Sequence, residues 1–166
     1  MKSLIFKIVL PLTIISFAVV NKWWYALPLD APDTLYYGFP LPFVGSGWHT
    51  SMSLQLFILE FIADFLVYFL FWMLLIYSIN RFIFKIKPLK IIRILLLTPA
   101  IIITLLSILI AADSNNLFFL KRPYEMEIMD SGYKFIWQKM EYPDYYKYHP
   151  ERKPDQMRKD SLNKPL

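Results

Sequence analysis

Apolar positions along this chain gather in three blocks, and the last third is polar. The middle block, Leu54 to Ile79, is the one around which the others arrange themselves. Its continuous apolar character reads as a transmembrane helix, with two acidic residues, Glu60 and Asp64, near one end. At about 1.5 Å per residue it would reach roughly 39 Å, more than the ~30 Å of bilayer hydrocarbon. It must therefore tilt or protrude at the Glu60 end, with Thr50 or Ser51 as its N-cap and Tyr77 and Asn80 at the other interface.

The first block spans about residues 4–20, where Lys2 and Lys7 accompany an apolar run. Two readings compete: a signal peptide cut after the small residues Ser16 and Ala18, or an uncleaved anchor helix. The anchor is favoured, because the apolar run continues past Ala18 and then meets Lys22, Trp23, Trp24 and Tyr25, residue types that settle at a membrane surface. The third block, about residues 94–112, predicts another span with Pro99, Thr104 and Ser107 inside it.

The connecting segments differ in character. Residues 21–50 are crowded with aromatics, prolines and three of the four glycines. They are too apolar for a free linker and too broken for a spanning helix, so an external loop lying against headgroups is predicted, with Trp23, Trp24, Tyr25 and Trp48 as interfacial anchors. A lipid or isoprenoid groove is the alternative for these aromatics. Asp30 with Pro32 suggests one capped helical turn that Gly38 stops. In the segment 113–141, alternation at Tyr124–Ile128 and Tyr133–Trp137 flanks Met129-Asp130-Ser131-Gly132, a β-hairpin pattern. Residues 142–166 lose apolar periodicity and read as a disordered tail.

Composition sharpens this picture. The chain is 57% hydrophobic and 18% aromatic, well above a soluble domain. The formal net charge of +5 is uneven. Arg81 to Arg93 holds five basic and no acidic residues, which marks residues 81–93 as a cytoplasmic loop. From Asp113 onward ten basic residues offset nine acidic ones, so no basic face for nucleic acid is predicted. The absence of cysteine excludes disulfides, thiolate catalysis and zinc–thiolate sites within the chain.

Candidate chemistry is sparse. Glu60 and Asp64, four residues apart, share a helix face that Tyr68 continues. Carboxylates inside a span are costly and point to ion or proton relays or to partner docking; the plainer reading is an interfacial cluster with Lys22 as counter-charge. His49, with Asp30, Asp33, Glu60 and His149, shows no ligand spacing, so no metal site is predicted. Gly45-Ser46-Gly47 lacks the spacing of a nucleophile elbow, so no catalytic residue or cofactor is predicted.

Together these features predict an all-α membrane protein with three transmembrane helices, N-terminus inside and C-terminus outside, in a bacterial inner membrane. Its partners would be the lipid bilayer and membrane proteins meeting the aromatic loop and hairpin. The predicted role is a non-catalytic accessory or scaffold subunit; the alternative is a small transporter or ion-coupled component using Glu60 and Asp64. A reporter fused after Lys90 is expected to read cytoplasmic, and one fused after Leu166 external. The reverse pattern would contradict the charge-based topology.

Overall fold

The first apolar helix stops at Val19 for a local reason. In the computed structural model, Lys2–Leu4 (α1), a π-helical turn over Ile5–Val9 and Leu10–Val19 (α2) run on from one another. Val20 then turns extended (φ −101°, ψ 109°). The Asn21 side-chain amide donates to the Ala18 carbonyl at 3.1 Å, satisfying one of the acceptors that a helix end leaves open. The structure describes residues 2–28, 34–47, 50, 52–86, 89–135, 137–138 and 145–149.

From Val20 the chain builds a sheet. Its strands are β1 (Val20–Pro28), β2 (Thr34–Tyr37), β3 (Val44–Ser46), β4 (Leu54–Phe57), β5 (Leu117–Phe119) and β6 (Met126–Phe135). They form one six-stranded sheet in the order β5-β4-β3-β2-β1-β6. Only β4 and β5 are parallel; the other pairs are antiparallel. β4 runs straight into α3 (Ile58–Ser78), a π-helical turn over Ile79–Ile83 continues that helix until Phe84 turns extended, and α4 (Lys90–Ala111) returns the chain to β5. The long helical hairpin is thus stitched into two neighbouring strands. A last helical turn, α5 (Tyr145–Tyr148), reaches back so that the Tyr148 hydroxyl donates to Asp130 Oδ2 at 3.1 Å.

The expectation of an all-α, three-span protein is overturned: the molecule is mixed α/β, with two helices among the described residues long and apolar enough to cross a membrane. The first block fails on length, since its apolar helix covers Ile5–Val19, short of the ~20 residues a span needs. The expected external loop is largely sheet, because its aromatics are strand formers whose neighbours across the ladder accept them. Leu54 to Phe57 belongs to β4 and not to the helix, so α3 begins at Ile58 with Phe57 as its N-cap residue and no side-chain cap. The expected hairpin is one strand: Met129 is the extra residue of a bulge, since Tyr25 pairs with Asp130 and Ala26 with Ile128. Thr34–Tyr37 of the helical turn expected between Asp30 and Gly38 is strand β2; Asp30 and Pro32 themselves, and residues 142–144 and 150–166 of the tail, lie outside the described residues.

Two clusters hold the layers. At the end of the hairpin away from the sheet, Leu4, Ile8 and Val9 pack on Ile76 of α3. In the sheet, Ala26, Tyr36 and Phe57 form a core with Trp24, Phe119, Tyr124 and Met126 around them. Glycines sit opposite the largest rings. Tyr36 pairs with Gly45, and a Cβ on Gly45 would lie 2.5 Å from ring carbon Cε1. Trp23 pairs with Gly132, where a Cβ would lie 2.8 Å from the indole. Gly132 therefore makes room for Trp23 instead of turning a hairpin. Because Tyr36 is fully buried, its ring cannot swing aside. Gly45→Ala is expected to cost about 1–3 kcal/mol, read as a lower thermal midpoint, and an unchanged midpoint would show that the ring has room to move.

Candidate functional site

The i, i+4 spacing of Glu60, Asp64, Tyr68 and Trp72 aligns them on one face of α3, and each reaches a different segment. Asp64 is completely buried. Its Oδ1 accepts the Leu41 amide at 2.9 Å, and the Phe39 amide faces the same carboxylate without a hydrogen bond to Oδ2. The loop 38–43 that brings these amides over the helix is shaped by Gly38, whose φ of +146° admits no ordinary side chain. Gly38 is itself tied at both polar groups: its amide donates to the Lys22 carbonyl at 3.0 Å, and its carbonyl accepts the Trp24 indole N–H at 2.9 Å.

Further along, the Tyr68 hydroxyl donates to the Val20 carbonyl at 3.0 Å, where α2 gives way to β1. The Trp72 indole donates to Ser16 Oγ at 2.8 Å, and that hydroxyl donates onward to the Leu12 carbonyl at 2.7 Å. At the helix start, Glu60 Oε1 accepts the Arg122 amide at 3.4 Å. A carboxylate in the first turn also suits the helix dipole. Two oxygens, Glu60 Oε2 and Asp64 Oδ2, are buried without a hydrogen-bond partner.

Lys22 is not brought to the carboxylates. Its ammonium sits 3.5 Å from the centroid of the Trp24 ring and 5.7 Å from that of Tyr133, a cation–π arrangement in place of an ion pair. The expected surface anchors are also drawn into the sheet. Tyr25 is buried and packs on the Tyr148 ring at 5.3 Å, Trp24 borders the sheet core, and Trp23 covers Gly132. Trp48 and His49 lie outside the described residues. Among the described residues, no three His, Cys, Asp or Glu side chains converge as a metal site.

The sheet holds a buried polar chain of its own. The Gln55 side-chain amide donates to the Ser46 carbonyl at 2.7 Å, which directs its oxygen to the Tyr124 hydroxyl, donating at 2.8 Å. The Tyr124 proton being so used, Tyr36 is the donor of the 2.9 Å contact between the two hydroxyls. Burial, and then the hydrogen bond to Tyr124, push the Tyr36 hydroxyl far above its ordinary range. Burial also raises Tyr124. Both stay neutral, so the chain satisfies the sheet core and carries no charge.

A second feature was not legible in the sequence. Beneath the sheet, α2, α3 and α4 border an open cavity of about 840 Å³. Phe17, Phe61 and Phe65 line one side, Ile103 and Ile108 the other, and Lys134 stands at the sheet edge of it. Lys134 arrives there because it pairs with Asn21 across β1 and β6, partners far apart in the sequence. No family model, curated protein or solved structure matches this chain, so the site is read from its own geometry.

The Asp64 contact can be tested directly. Asp64→Asn keeps an oxygen acceptor for the Leu41 amide and is expected to leave its hydrogen exchange slow. Asp64→Leu strands that amide, with an expected cost of about 1–3 kcal/mol and faster exchange at Leu41. Equal exchange in both variants would show that the carboxylate does not hold the loop.

Proposed function

We propose that this chain is a multi-pass, non-catalytic protein of a bacterial inner membrane, an accessory or scaffold subunit that presents its sheet to a partner at the external surface. One observation carries the reading. α3 and α4 are long and apolar, and only 6% of each apolar window is buried inside the molecule. Large side chains such as Phe71, Leu74, Leu95 and Leu109 stand open on their outer faces. An apolar surface of this extent needs a lipid or protein covering. Meanwhile Glu60, Asp64, Tyr68 and Trp72 of α3 each make a hydrogen bond within the chain, as a bilayer would require.

The arrangement of ends supports the orientation. The sheet lies at one end of the helical hairpin, and Arg81, Lys85, Lys90 and Arg93 lie at the other, on the side that the positive-inside rule assigns to the cytoplasm. The scaffold role is supported by β6, ten residues long at the sheet edge, where a row of backbone groups is a template for strand addition. The alternative is a proton- or ion-coupled component, favoured by the two buried oxygens on Glu60 and Asp64 that lack partners.

Extraction and copurification test the proposal. The full chain is expected to resist alkaline carbonate extraction and to leave the membrane in mild detergent with a partner in fixed stoichiometry. Release by carbonate would refute membrane integration, and a clean homo-oligomer would refute the scaffold role. An Asp64→Asn protein that assembles normally but fails to complement a deletion strain would promote the ion-coupled alternative.

A further inference from the structure

We infer that the cavity between α3 and α4 is a binding site for an anionic bilayer lipid, with an acyl chain in the cavity and the headgroup on Lys134. The inference rests on the membrane reading above and adds a ligand to it. The volume, about 840 Å³, lies within the ~300–1,000 Å³ of small-molecule sites.

The walls are built for a chain-like apolar guest. α2 packs against both α3 and α4 and forms the back. The aromatic side is rigid: Phe17 stacks on Phe43 at 5.2 Å and meets the edges of Phe61 and Phe65 at 5.4 and 5.8 Å. The opposite side is aliphatic, from Ile103 and Ile108 of α4. The sheet closes the top, and among the described residues the lining holds one charged side chain, Lys134, and no carboxylate. Its ammonium lies 4.9 Å from the centroid of the Tyr37 ring, and the Asn21–Lys134 pairing sets it just beyond the end of α2. That is the level at which apolar helices give way to sheet, where a lipid headgroup would sit. A lone cation at the mouth of an apolar cavity complements an acidic headgroup on an acyl chain.

The test uses the full chain reconstituted in vesicles, floated on a density gradient, then labelled by lipids carrying a photoreactive group on one acyl chain. Phosphatidylglycerol and phosphatidylcholine serve as the probes. Labelling is expected on the cavity side of α4 between Ile103 and Ala111, about fivefold stronger with phosphatidylglycerol. Lys134→Gln is expected to abolish that preference, Lys134→Arg to keep it, and Ser107→Trp to block labelling by both lipids. A protein that does not float overturns the membrane reading and the lipid site together. A protein that floats but is labelled evenly around α3 and α4, or keeps its preference in Lys134→Gln, overturns the lipid site alone.

Discussion

Glu60, Asp64, Tyr68 and Trp72 follow one another at single-turn intervals on α3, and each takes its hydrogen bond from a separate stretch of chain. The segments joined are the connection between β5 and β6, the loop between β2 and β3, the end of α2 and its middle. An inward polar group on an apolar helix has no water to fall back on, so leaving one unmade costs more than making it gains. In the membrane proposed above, each contact would contribute little singly, about 0.6–2 kcal/mol. Their alignment matters more than their sum: a rotation of α3 about its axis would break all four together. The same face ends in Ile76, which packs on Leu4, Ile8 and Val9, so hydrogen bonding near the sheet and packing at the far end fix the same rotation.

The sheet answers to this arrangement. Asp64 positions the loop 38–43 from below, while Gly38 is fastened to Lys22 and Trp24 of β1 from above. Its interior is polar where strands alone could not satisfy it, and the line from Tyr36 through Tyr124 and Gln55 to the Ser46 carbonyl ties β2, β3, β4 and the approach to β6. A neutral, fully partnered chain of this kind stiffens a small core without the desolvation cost of a buried charge.

Much of the helical half was legible in the sequence, and little of the sheet was. Uninterrupted apolar length reveals α3 and α4, and four-residue spacing reveals the shared face of Glu60, Asp64 and Tyr68. The strands hide because β1 carries adjacent rings, Trp23 and Trp24, that cover opposite faces, so no alternation is visible. Leu54 to Phe57 merges into the apolar run that follows; buried Gln55 is the one residue there that fits a strand better than a bilayer. Gly132 imitates a turn residue, and only its pairing with Trp23 explains it. The charges mislead for a related reason: Lys22 settles over the rings of Trp24 and Tyr133, and Lys134 gains its place only through a strand paired across most of the chain.

That last pairing fixes an order of events. Val20 at the start of β1 meets Phe135 at the end of β6, and both long helices and the other four strands lie between them. Such a distant closure is slow and entropically costly. While the chain is being made, β1 emerges early and waits with one side of its backbone unfilled until both long helices have been produced. The sheet is consequently the last part to be completed, and a ribosome stalled before Met126 would leave a nine-residue strand bare on its β6 side, a natural point of engagement for chaperones or for quality-control proteases.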